Sequence, residues 1–190
     1  PGLTDAGVVT STPTEYLDLM PTLAEAAMGI SVPACPADAA AARHVALCTH
    51  GVSLLPLIAQ PAVAVKVAAY SQYPRGYVRP GEESEAIADL DLSSQGFEDT
   101  GEFRPSGCLS RRCTMGYSLL TVRNGTEYRY TEWVDFNTKV RGGPDWGRVI
   151  GSELYDHASD PLENVNLAKR AVPEALVRDL RRLLRAHPAW

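Results

Sequence analysis

The stretch YSLLTVR-NG-TEYRYTEWV, residues Tyr117–Val134, decides the fold. Two runs of β-branched and aromatic residues, alternating with polar ones, flank Asn124-Gly125. That dipeptide suits a type I′ turn, whose two central residues both need positive φ. The expectation is an antiparallel hairpin. Asn124-Gly125-Thr126 is also the chain's one N-glycosylation sequon, which makes Asn124 a candidate glycan acceptor if the protein is secreted.

Upstream of the hairpin, Val63, Val65 and Val67 alternate with small or polar residues, the period-2 pattern of a strand running on towards Tyr70. An irregular insert is expected from Pro74 to Arg112. Its Glu82–Glu102 block carries eight carboxylates and no Lys or Arg, the composition of a solvated loop. Calcium is the other use for such a block, but the D-x-D-x-D-G spacing is missing. Thr14–Met28 has Leu17, Met20 and Leu23, and Leu19, Leu23 and Ala27, at helical spacing, with Thr14 as a cap and Gly29 as a stop. Pro21 should kink that helix or mark its first turn. Ala34–Ala46 is ambiguous, Val52–Ile58 is a short apolar element, and Gly142–Gly151 is turn-rich. Pro173–His187 is an amphipathic helix. Its stripe is Leu176, Leu180, Leu183 and Leu184, while Arg178, Arg181, Arg182 and Arg185 are expected to face out, as a solvated face or a polyanion contact.

The whole chain has 190 residues, 45% hydrophobic and 22% charged, which excludes wholesale disorder and collagen-like repeats. Its net charge is 18 − 23 = −5, the wrong sign for a nucleic-acid binder. No membrane span is expected, because Pro56, Gln60, Pro61 and Lys66 interrupt the most apolar stretch, Val52–Ala69. The opening PGLTDAG has neither an initiating Met nor an apolar secretory core, which suggests a fragment or a processed chain. Four cysteines form two sequence-local pairs, Cys35/Cys48 and Cys108/Cys113; locality favours those two disulfides over the other pairings, with free thiols as the alternative. A zinc site from Cys35, His44, Cys48 and His50 lacks any C-x-x-C half. Disulfides point to an oxidising compartment.

Catalytic motifs are sparse. There is no G-x-S-x-G, no phosphate-cradling glycine loop and no H-E-x-x-H. Asp156 and His157 are neighbours in sequence, which does not make their side chains meet. Composition and periodicity reach only a mixed α and β domain.

Five segments, in order, carry a resemblance. GSELYDHASDPLENVNL (Gly151–Leu167) and LDLMPTLAEAAMGISVP (Leu17–Pro33) resemble C-terminal segments of the type I sulfatases. AYSQYPRG (Ala69–Gly76), CTMGYSLLT (Cys113–Thr121) and YRYTEWVDFN (Tyr128–Asn137) are similar to the iduronate-2-sulfatase family within them, and Cys35 and Cys48 match a bonded pair there. The resemblance implies the C-terminal part of an alkaline-phosphatase-like α/β sulfatase fold, α+β within this chain. Residues 1–60 would end the catalytic subdomain. Residues 61–190 would form a small antiparallel-sheet subdomain with a packed C-terminal helix and the insert 74–112.

The same resemblance implies an enzyme that hydrolyses sulfate esters, on sulfated uronate glycans, in a lysosomal or secreted setting. Its formylglycine nucleophile and Ca²⁺ would be carried by residues outside this chain, so this chain would hold no catalytic or metal residue and be silent alone. The missing N-terminal catalytic portion, in the same chain or as a processed partner, would be its partner. Cys108-Leu-Ser-Arg-Arg112 formally reads C-x-S-x-R, but it lies far from the family's modified cysteine, and a Cys108–Cys113 bridge is the plainer expectation. Tyr73 and Arg75 are the candidates for substrate contact, since an arginine can pair with a uronate carboxylate. Pinning the insert loop is their structural alternative. The rival from another class is a non-catalytic, disulfide-stabilised interaction module. The acidic insert would repel a sulfated polymer if it lined the cleft.

Overall fold

The structure, a computed structural model, describes residues 7–76, 113–136, 144–170 and 172–187. The chain is α+β. Four strands, β1 (Ala69–Gly76), β2 (Cys113–Arg123), β3 (Thr126–Phe136) and β4 (Val149–Asp156), form one antiparallel sheet in the order β1-β2-β3-β4. The turn between β2 and β3 is as expected: Asn124 has φ 52° and Gly125 φ 79°, the left-handed pair that a type I′ turn requires. The hairpin register pairs Arg123 with Thr126 and runs to Cys113 opposite Phe136. Between β3 and β4 the register slips at Trp133/Val134, a bulge at Ile150.

Alternation divides the sheet into two faces. Met115, Tyr117, Leu119, Tyr130, Val134 and Leu154 lie on one and are all buried. Helix α4 (Glu174–Arg185) packs there through Leu180 and Leu184, both wholly buried. That packed C-terminal helix is the expected one. Arg178 and Arg182 are exposed as expected, but Arg181 and Arg185 turn back onto the sheet. Arg181 and Arg185 each donate through Nε to Glu132, one to each carboxylate oxygen at 2.8 Å, while Arg123 and Arg182 hold Asp179. Glu132 sits at an inward position of β3 with no exposure, and a charge there needs partners. Tyr130 Oη donates to the same carboxylate at 2.8 Å. Burial, and then that bond, push the Tyr130 phenol up to about 12.

The N-terminal elements lie at the β1 side of the sheet. A 3₁₀ turn (Tyr16–Asp18) leads into α1 (Leu19–Met28), followed by the short α2 (Ala39–Ala42) and α3 (Leu55–Ala59). Pro21 falls in the first turn of α1, where its missing N–H costs nothing, and Gly29 ends the helix at φ 66°. Thr14 is not the cap: Glu15 and Asp18 take the N-terminal positions, and the Asp18 carboxylate accepts from the Glu15 N–H at 2.8 Å.

Two further expectations are corrected. Val63–Val67 is not a strand; the strand begins at Ala69, and Val67 is exposed. Its stretch is committed elsewhere. Lys66 Nζ donates to Asp18 at 2.8 and 2.9 Å and to Glu15, and the Val67 carbonyl accepts from Thr121 Oγ1. Nor does the insert start at Pro74, because β1 continues through Gly76 opposite Cys113. Proline is tolerated there because β1 is an edge strand. The acidic block Glu82–Glu102 lies outside the described residues.

Candidate functional site

The sheet face opposite α4 is built from the other half of each alternation. Across one row, Tyr73, Gly116, Trp133 and Gly151 are paired neighbours. Gly116 is required there: a Cβ would stand 2.7 Å from the Trp133 ring, so the indole lies flat over the strand. Tyr73, 68% exposed, flanks it. Arg75 occupies the register position opposite Thr114, two residues on from Tyr73 and on the same strand face, though its side chain is not among the described ones. The candidate pair thus shares one face of the β1 edge.

Further along this face, Ser118 and Thr131 are buried and bonded to each other at 2.9 Å. A cavity of about 510 Å³ opens beside them, between the 14–19 segment and the sheet, with Glu15, Leu54, Ser71, Ser118 and Arg129 among its lining. Glu15 lines it and is itself part of a Glu15–Asp18–Lys66 ion cluster. Asp18 has no exposure and also accepts from the Val52 N–H at 2.9 Å, while Glu15 accepts from the Tyr70 N–H at 3.0 Å. These bonds tie the N-terminal elements to the first strand. Gly51 completes the fit, since a Cβ there would meet the Leu17 carbonyl at 2.0 Å.

The GSELYDHASDPLENVNL segment is organised by its own polar side chains. Asp156 accepts from the Ala158 N–H at 2.8 Å and Asp160 from the Val165 N–H at 2.7 Å, which closes the turn after β4. Hydrogen bonds from Asn164 and Val165 hold the Asp160 carboxyl below its ordinary range. Asn166 works as a one-residue strand: its amide accepts from the Leu154 N–H and donates to the Ser152 carbonyl, both at 3.1 Å. The β4 edge is thereby covered. Asp156 and His157 do not meet. His157 instead lies between Glu127, 2.6 Å from Nδ1, and Glu163, 2.7 Å from Nε2. Arg129 Nε reaches the same Glu163 oxygen at 2.5 Å. The hydrogen bond to Glu127 raises the imidazole above its usual value, with Glu163 adding to it against burial. This cluster gives no sequence signal, because its members come from two chain segments about 30 residues apart.

Cys35 and Cys48 are joined in a disulfide, with Cys35 N–H bonded to the Thr49 carbonyl beside it. Cys108 and the C-x-S-x-R stretch lie outside the described residues, and so does the Cys113 side chain. Asn124 is exposed at the hairpin tip. Among the described residues no group of three or more His, Cys, Asp or Glu is placed to hold a metal ion, and no helix is long and apolar enough to cross a membrane.

No protein-family profile matches the chain. The chain spans about a quarter of the length of the curated relative it matches, 24%. That relative is human iduronate 2-sulfatase, to which this chain is similar at 32% identity over 170 aligned residues, covering 80% of its own length.

Proposed function

We propose that this chain is the C-terminal region of a sulfatase that acts on sulfated uronate glycans, and that the missing portion supplies the nucleophile, a formylglycine, and Ca²⁺. The similarity to iduronate 2-sulfatase over 80% of the chain carries the reading. In it, residues 1–60 end the catalytic subdomain and 61–190 form the smaller one, in a lysosomal or secreted enzyme. The disulfide suits that compartment.

The surface supports a missing partner. Leu19, Met20 and Leu23 share one side of α1, each 42–65% exposed, and follow Tyr16 at 92% and Leu17 at 52% in the 3₁₀ turn. Such a contiguous apolar face is costly in water and marks a contact surface. The catalytic portion is its occupant, because the relative is about four times longer than the part matched here. Tyr73 and Arg75, on the sheet face beside the cavity, are the proposed substrate contacts. The polar groups of that face suit an anionic sugar only if the missing portion brings the cations that bind sulfate. Asn124, at an exposed tip, is the proposed glycan acceptor.

Peptide mass spectrometry on the native protein is the test. A formylglycine peptide from a C-x-P-x-R sequence upstream of Pro1, together with hydrolysis of a fluorogenic uronate 2-sulfate, supports the reading. A mature protein with no such upstream peptide and no companion chain overturns it in favour of a non-catalytic interaction module. Arg75→Ala in the intact enzyme should raise KM with little change in stability. Unchanged kinetics with lost stability would return Arg75 to a structural role.

A further inference from the structure

His157 is held at both ends by carboxylates on different segments: Glu127 belongs to β3, and Glu163 to the turn that follows β4. A neutral imidazole carries one N–H and one lone pair, so it can donate to only one of two carboxylates. The lone pair would then face the second carboxylate at hydrogen-bond distance, which is repulsive. Only the imidazolium satisfies both contacts. We propose that His157 is a proton-operated clasp, closed in acid, that tightens the Asp156–Asn166 turn onto β3 and loosens it when the ring loses its proton.

The surroundings favour a local device. The His157 backbone N–H donates to the Glu127 carbonyl at 3.0 Å in either protonation state, so the ring stays beside its partners. Arg129, also on β3, keeps hold of Glu163 when the ring is neutral, so the turn loosens and does not detach. Asp156 and Asp160, the other charges of the turn, are occupied by its backbone N–H groups. Glu163 itself sits at φ 57°, a conformation a non-glycine residue keeps only while its contacts pay for it. A turn held that way is poised to relax.

The imidazole's proton affinity is raised in the folded state, so the clasp's contribution is complete below the ordinary histidine pKa of 6.5 and is lost as pH rises through the higher folded value. The clasp does not depend on the sulfatase reading, and its readout is not activity. Amide hydrogen exchange of the native protein, read on peptides covering 156–166 and corrected for intrinsic pH dependence, tests it between about pH 5.5 and 8.5. Protection should fall with pH, roughly tenfold for each unit by which folding raises the ring's pKa. His157→Gln should give a flat profile at the loosened level. Glu127→Gln, which removes one charge and leaves the ring, should move the midpoint to lower pH. A flat wild-type profile overturns the clasp, as does a wild-type slope in His157→Gln or an unmoved midpoint in Glu127→Gln.

Discussion

Glu132 shows how one side chain orients an element. It occupies a core position of β3, and its two oxygens receive Arg181 and Arg185, one helical turn apart on α4. Removing the carboxylate takes away the anion common to both arginines and leaves a void between Tyr130 and Val134 on the inner face of β3. Glu132→Ala should therefore destabilise the fold by about 2–4 kcal/mol in urea unfolding, the lower end applying because the arginines can regain water. Arg181→Ala should cost less, since Arg185 and Tyr130 still bond the carboxylate. Tyr130 predicts a pH dependence. Its phenol titrates near 12 when folded, above the ordinary 10.0, so folding favours the protonated form. That contribution is intact below pH 10 and disappears as pH climbs towards 12. Tyr130→Phe should flatten the alkaline limb of a stability–pH curve; an unchanged limb would show that another group sets it.

Among elements, side chains bond to both edge strands of the sheet. Asn166 covers β4 by bonding Ser152 and Leu154, and Glu15 bonds the Tyr70 N–H on β1. Asn166→Ala leaves the Leu154 N–H to water or unpaired and should cost about 1–3 kcal/mol, with faster amide exchange at Leu154 as the specific sign. Local signals made some elements legible. Asn124-Gly125 fixes the hairpin because the turn's demand for positive φ is met within two residues. The leucine stripe of Pro173–His187 finds α4 because helical periodicity is likewise local. Val63–Val67 misleads for the opposite reason. Alternation marks a strand only where a neighbour offers a ladder, and here Lys66 and the Val67 carbonyl are taken by Glu15, Asp18 and Thr121.

For the whole molecule, the exposed face of α1 sets the expectation. The isolated chain should self-associate or bind hydrophobic dyes through Leu19, Met20 and Leu23, and replacing Leu19 and Leu23 by Glu should restore a monomer in sedimentation velocity without loss of the fold. A monodisperse wild-type monomer would argue against a missing catalytic portion. The amphipathic spacing of α1 foretold a helix with an apolar side. It could not foretell that this side is left uncovered, because burial belongs to what packs against a helix.

Short-range patterns were enough for the antiparallel hairpin, the terminal helix, the local Cys35–Cys48 pairing and the similarity to sulfatases. These rest on signals within a few residues or on ordered motifs. Which polar residues are structural emerges with the fold. Glu132 carries no signal of its own within the strand pattern; folding places on it two arginines some 50 positions away. His157 reads as Asp156's neighbour until β3 brings Glu127 and Arg129 beside it. A charge's role depends on the dielectric and partners around it, and those come from segments the chain joins only by folding.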